Sequence, residues 1–202
     1  MPILRNELQV GAIVEYFDMS KNSINVVLVG PMGSGKTTVG RRLANELNRD
    51  FFDTDHEIID RTGVTIECIF DIEGEKGFRR RESKMLEDLC NMSNVVLATG
   101  GGIVLKPENR VLLKKTGLVF YLSSSIEQLL KRTEKSKTRP LLEQSLDREK
   151  TIRDLVSDRD ELYREVASSV VDTTGKQLNE VVDIIKGEVE SVVEFCFFFV
   201  SV

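Results

Sequence analysis

"INVVLVGPMGSGKTTVG", residues 24–40, joins an apolar run to a glycine-rich turn and then to a helical pattern. The run 24–30 is Val-rich and continuous rather than alternating, as expected of a strand covered on both faces. Residues 36–47, "KTTVGRRLANEL", place Val39, Leu43 and Leu47 on one helical face. Between the two, Gly30 to Thr37 matches G-x-x-x-x-G-K-[ST]. Glycines let several backbone N–H groups converge on phosphate oxygens, and the following helix adds the positive end of its dipole. Gly33, Ser34 and Gly35 are thereby expected to cradle nucleotide phosphates, with Thr38 beside them. Lys36 is expected to reach the β- and γ-phosphates of ATP, and Thr37 to offer its hydroxyl to Mg²⁺.

The rest of the chain repeats this strand–helix unit. Further strands are expected at "FFD" (51–53), "VVLAT" (95–99), "LVFYL" (118–122) and "SVVDT" (169–173). Helical stretches lie at Glu75–Cys90, after a capping box of Ser124 with Glu127, at Asp147–Ala167 and at Gln177–Val193. The alternation predicts an α/β fold: a five-stranded parallel sheet flanked by helices in three layers, with right-handed crossovers. The 202 residues suit one domain. The expected division is an extension at 1–23, the domain at 24–190 and an apolar tail at 191–202. Residues 133–145, "TEKSKTRPLLEQS", show no clean helical face and lie between two helices; a mobile lid is expected there.

Composition narrows the partners. A net charge of −5 gives no support to nucleic-acid binding, although "FRRRE" (78–82) and "KRTEKSKTRP" (131–140) are locally basic. Such clusters on an acidic chain suit small anionic ligands. Cys68, Cys90 and Cys196 lack metal-ligand spacing and read as free thiols in a reducing compartment. His56 is the only histidine, so little histidine-based catalysis is available. The tail "VVEFCFFFVSV" is too short to span a bilayer, and the N-terminus has no signal-peptide pattern. No long apolar seam is evident. The expected setting is therefore a monomer in the cytoplasm, with no membrane partner.

A phosphate loop implies a nucleotide but not an acceptor. In "FFDTDHE", Asp53 and Asp55 stand at the end of a strand, where ligands of open α/β sheets bind. One carboxylate can hold a metal's water shell and the other can accept a hydrogen bond from a substrate hydroxyl; capping of the next helix is the plainer use. In "EGEKGFRRRE", Arg79 and Glu82 are three apart on a helix, so Glu82 can orient the guanidinium for a carboxylate. "VVLATGGG" ends a strand in Gly100, Gly101 and Gly102, which permit close approach of a substrate. Thr99 stands where many phosphate-loop enzymes place a metal-binding Asp, which leaves Asp53 as the metal candidate.

Taken in order, "GPMGSGKTTVGRRLA", "FFDTDHEI", "GEKGFRRRE", "ATGGG", "TRPLL" and "DRDELY" resemble the shikimate kinase family over roughly residues 24 to 187. The resemblance implies ATP- and Mg²⁺-dependent phosphorylation of the 3-hydroxyl of shikimate, a step toward chorismate and the aromatic amino acids. It assigns Asp53 to the Mg²⁺ shell and Asp55 to the substrate diol as base. It assigns Arg79 and Arg159 to the substrate carboxylate, and Gly100–Gly102 to the ring. Arg139 becomes a lid residue that reaches the phosphates, and Arg132 a residue that packs on adenine. Glu161 stands where the family often has proline. A gluconate-type or nucleoside monophosphate kinase could share the loop and lid, and a non-catalytic binding module is the other alternative.

Overall fold

Strands β1 (Asn25–Val29), β2 (Asp50–Asp53), β3 (Val95–Ala98), β4 (Gly117–Ser123) and β5 (Ser169–Asp172) form one sheet. Its order is β2-β3-β1-β4-β5, and every pairing is parallel. In this computed structural model residues 24–134 and 147–200 are described. β1 lies at the centre: Val27 stands opposite Leu97 of β3 and Val119 of β4.

The helices are α1 (Lys36–Leu47), α2 (Thr54–Thr62), α3 (Ile66–Cys90), α4 (Pro107–Thr116), α5 (Ile126–Thr133), α6 (Arg148–Val166) and α7 (Leu178–Val200). A 3₁₀ turn at Ile103–Leu105 precedes α4. The sheet separates two cores. Val26 and Leu28 pack with Val39 and Leu43 of α1 and with Val182 and Ile185 of α7. Val27 and Val29 pack on the other side with Phe78 and Leu86 of α3, Leu113 of α4 and Tyr163 of α6. Successive residues of one strand thus serve opposite cores, which is why the sequence of β1 shows no polar alternation. The expected three layers and five parallel strands are present.

Several boundaries differ from expectation. α3 begins at Ile66 rather than Glu75; Thr65 caps it, and Gly74 (φ 67°) kinks it where the sequence suggested a start. Helices α2 and α4 carry no clear apolar period and were not expected. α5 is capped by Ser125, not Ser124: the Ser125 side chain accepts the Gln128 N–H. Gln128 does not reciprocate, because its amide is engaged by Thr173 and Gly175. α7 runs without interruption through the division expected at 190, and Val192 and Cys196 belong to its core face. Residues 1–23 and most of the stretch 133–145 lie outside the described residues; Thr133 itself ends α5 and is fully buried.

Because α7 supplies core contacts beyond residue 190, deleting residues 191–202 should lower unfolding stability by roughly 3–5 kcal/mol, the loss of about two buried side chains. Urea denaturation of the two forms measures this; an unchanged midpoint would contradict it.

Candidate active site

The carboxyl ends of β1, β2 and β3 open onto one cleft of about 830 Å³, large enough for a nucleotide and a small acceptor. Its floor is the loop that follows β1. Gly33 (φ 80°) and Gly35 (φ 99°) adopt left-handed backbone, which a side chain would strain. The chain then enters α1 with its N–H groups unpaired by any capping side chain. Lys36 is buried at the start of α1, and its Nζ donates to the carbonyls of Gly30 (2.7 Å) and Pro31 (2.8 Å). Ser34 is buried beneath the loop, Thr37 faces the cleft, and Thr38 is an exposed part of its lining. From α5, Arg132 Nη1 donates to the carbonyls of Gly33 and Ser34, each at 3.3 Å. Arg132 therefore braces the loop from the side on which adenine was expected.

Asp53 ends β2 and does two things. Its Oδ1 accepts the Asp55 N–H (3.0 Å) and so caps α2; its Oδ2 accepts the Thr37 hydroxyl (2.6 Å). The capping reading of this residue is therefore present, and the same carboxylate lines the cleft. Asp55 lies in the first turn of α2, not on the strand, so the pair is not aligned by strand periodicity. The Asp55 Oδ1 is buried, lines the cleft and has no hydrogen-bond partner among the described residues. Burial pushes its carboxyl up to about 7; the Glu82 and Asp53 charges add to this, and Lys36 and Arg79 oppose it.

Arg79 rises from α3 between two carboxylates. Nη1 donates to Glu82 Oε2 (2.7 Å) and Nη2 to Glu75 Oε1 (3.1 Å). Glu82 is fully buried, which raises its pKa against the pull of Arg79. The glycine segment passes directly over this pair: a Cβ on Gly102 would overlap the Arg79 guanidinium, and one on Gly100 would strike Glu82 Oε1 and Asp55 Oδ1. Thr54 Oγ1 accepts the Gly100 N–H (2.9 Å). From the opposite wall, Arg159 of α6 donates to the Gly101 carbonyl (3.2 Å). Glu161 is an ordinary helical residue two positions on, and α6 is unbroken there. Arg79 and Arg159 both line the cleft with Asp55.

Of the expected residues, Gly33, Ser34, Gly35, Lys36, Thr37, Thr38, Asp53, Asp55, Arg79, Gly100, Gly101, Gly102, Arg132 and Arg159 share this cleft. Arg139 lies outside the described residues. Two contributors were not read from the sequence. Thr54 was passed over between two aspartates. Tyr163, the last residue of "DRDELY", was given no role, although its spacing of four from Arg159 puts both on one helical face.

The arrangement joins an anion-binding loop, a partly protonated carboxyl and two guanidinium groups, a set suited to phosphoryl transfer onto a hydroxylated carboxylic acid. The family model for shikimate kinase matches residues 32–190. A shikimate kinase of Dechloromonas aromatica is 57% identical over 148 residues, covering 73% of this chain and 80% of that protein. One from Thioalkalivibrio sulfidiphilus is 51% identical over 158 residues, covering 78% and 83%. The solved shikimate kinase of Acinetobacter baumannii in complex with shikimate superposes with a TM-score of 0.82 at 46% identity, covering 88% of this chain and 97% of that one.

The raised Asp55 pKa fixes the sign of a pH effect. The carboxyl ionises at about 7 when folded and near its ordinary value of 3.8 when unfolded. Folding therefore disfavours the charged form: no penalty exists below about pH 4, it grows from pH 4 to 7, and it is complete above 7. Asp55→Asn should abolish turnover yet stabilise the fold by about 1–3 kcal/mol at pH 8, a gain that vanishes by pH 4. Thermal unfolding at the two pH values checks it; an equal effect at both would refute the assignment.

Proposed function

The chain belongs to the shikimate kinase family, and on that premise we propose that it transfers the γ-phosphoryl group of ATP to the 3-hydroxyl of shikimate. The product is shikimate 3-phosphate, and the step serves chorismate and aromatic amino acid synthesis. The observation that carries this reading is the buried, unpartnered Asp55 Oδ1 in the same cleft as the phosphate loop, Arg79 and Arg159.

Arg79 and Arg159 receive the substrate carboxylate. Arg79 is already oriented by Glu75 and Glu82, so little side-chain order is lost when it binds. Gly100–Gly102 let the ring lie against the backbone. Asp55 Oδ1 accepts a hydrogen bond from the 3-hydroxyl, aims its oxygen at the γ-phosphorus and takes the proton as the bond to phosphorus forms. Lys36 exchanges its loop-carbonyl partners for phosphate oxygens, and Arg139 adds positive charge from the lid proposed at 133–145.

Mg²⁺ fits the donors present. The Thr37 hydroxyl and Asp53 Oδ2 are hard oxygen ligands paired at 2.6 Å beside the loop. An ion held by Thr37 and Asp53 alone would keep most of its own water. When bound, the ion neutralises phosphate charge and helps align the β- and γ-phosphates. Among the described residues no helix is long and apolar enough to cross a membrane; the setting we propose is a cytoplasmic monomer, with no nucleic-acid partner.

ADP release measured against shikimate, gluconate and CMP tests the reading. Turnover is expected with shikimate alone; turnover with either rival but not with shikimate would overturn it. Lys36→Met should nearly abolish turnover in a folded protein. Arg79→Ala and Arg159→Ala should each raise the shikimate Kd about ten- to a hundred-fold, with ATP affinity nearly unchanged, because a charge-assisted bond contributes roughly 1.5–3 kcal/mol.

A further inference from the structure

Three consecutive glycines share one turn but not one kind of partner. The carbonyls of Gly100 and Gly102 accept the N–H groups of Ile103 and Leu105, as the 3₁₀ turn requires. The Gly101 carbonyl instead accepts two side-chain donors from α6: the Tyr163 hydroxyl at 2.5 Å and Arg159 Nη1 at 3.2 Å. The Tyr163 ring is fully buried and stacks on Tyr121 with centroids 5.0 Å apart. Tyr121 in turn donates to Asp160 (2.8 Å), which also holds Arg164. The phenol of Tyr163 therefore has a fixed position. Its pKa is pushed up to about 12, chiefly by burial, so it remains a donor at any working pH.

We propose that Tyr163 is a positioning residue for the acceptor site: it holds the Gly101 carbonyl so that Arg159 is free to engage the substrate carboxylate. The inference rests on the carboxylate reading of Arg159 given above. Gly101 is half-buried at the cleft wall, and its carbonyl, once covered by a ligand, is costly to leave without a donor. If Arg159 were the sole donor to Gly101, moving its guanidinium onto a ligand would strand that carbonyl. With the phenol in place, Arg159 can turn its remaining N–H groups to the ligand or leave Gly101 altogether. The same bond orients the Gly101–Gly102 peptide. A trans peptide points its C=O and N–H in opposite directions, so anchoring the Gly101 carbonyl on α6 turns the Gly102 N–H away from α6.

The test is Tyr163→Phe in the full chain, which keeps the ring and its stacking and removes the hydroxyl, with its bond to Gly101 and its contact with Arg159. KM for shikimate should rise about 3- to 10-fold while KM for ATP stays within twofold. The preference for shikimate over its primary carboxamide should shrink, since the penalty falls on the guanidinium–carboxylate contact. Tyr121→Phe, which loosens the stack without touching Gly101, should leave KM for shikimate within twofold. A merely structural role predicts otherwise: both KM values would move together, or the carboxamide preference would be unchanged. Either result overturns the proposal. Should Tyr163→Phe fail to fold, the unaltered chain supplies the second readout. The slowly exchanging Tyr163 hydroxyl proton should persist by NMR at saturating shikimate while the Arg159 Nη protons shift. Loss of the hydroxyl signal on binding would refute the proposal. Failure of the underlying reading looks different: Arg159→Ala would then leave shikimate affinity and carboxamide preference intact.

Discussion

The Arg79–Glu82 pair is the contact on which the acceptor half of the cleft depends. Glu82 has 1% of its side chain exposed and Arg79 has 11%, so neither charge has water to fall back on. Removing one partner of such a pair typically costs about 3–5 kcal/mol, because the other is left buried and uncompensated. The pair also occupies space that shapes its neighbours. Gly102 lies against the guanidinium and Gly100 against the carboxylate, so neither position has room for a side chain. Glu82 then raises the pKa of Asp55 while Arg79 lowers it. A single ion pair thus sets the position of the Arg79 guanidinium, the residue type of two backbone positions and the proton affinity of Asp55.

The nucleotide half is built on a different constraint, the end of a central parallel strand. β1 contributes to both cores and has no freedom to shift, so the loop leaving Val29 starts from a fixed point. Turning within six residues into α1 demands the left-handed backbone of Gly33 and Gly35. Side chains from two elements then brace the turn: Lys36 from α1, and Arg132 and Thr133 from α5, the Thr133 methyl group lying against Gly33. Arg132 also reaches Thr173 at the end of β5 (3.5 Å). The loop is consequently tied to both flanks of the sheet.

The five parallel strands and the location of the cleft were legible because parallel strands buried on both faces leave continuous Val-rich runs, and because the phosphate loop is dictated locally by backbone geometry. Arg79 with Glu82 was legible for the same reason, as an i,i+3 pair on one helix. What the sequence concealed depends on contacts across long separations. Asp55 could be named, but its raised pKa comes from burial under Gly100 and from Glu82, 27 positions along the chain. Tyr163 meets Gly101 over a separation of 62 residues. Ser124 and Ser125 are equally good caps locally, and the path of the chain toward Thr174, whose hydroxyl accepts the Ser125 N–H, selects the second. The helix expected from Glu75 begins at Ile66, and Gly74, just before the expected start, bends it.

The charges in the acceptor site imply a conflict between binding and chemistry. Lys36, Arg79, Arg132, Arg159 and Lys176 line the cleft together with Asp53, Asp55, Glu67 and Glu82. A carboxylate ligand brings one more negative charge into a region of restricted solvent. Its entry is easiest when Asp55 carries a proton, because the site then holds one negative charge fewer. Phosphoryl transfer needs the opposite state, with Asp55 Oδ1 free to accept from the attacking hydroxyl. An ordinary aspartate with a pKa near 4 would be ionised throughout and would always oppose the ligand. A carboxyl fixed far above neutrality would never serve as base. A value of about 7 places the group between these limits, so a small free-energy change on assembling the complex can release the proton. The acceptor site can therefore admit its anion in one protonation state and react in the other.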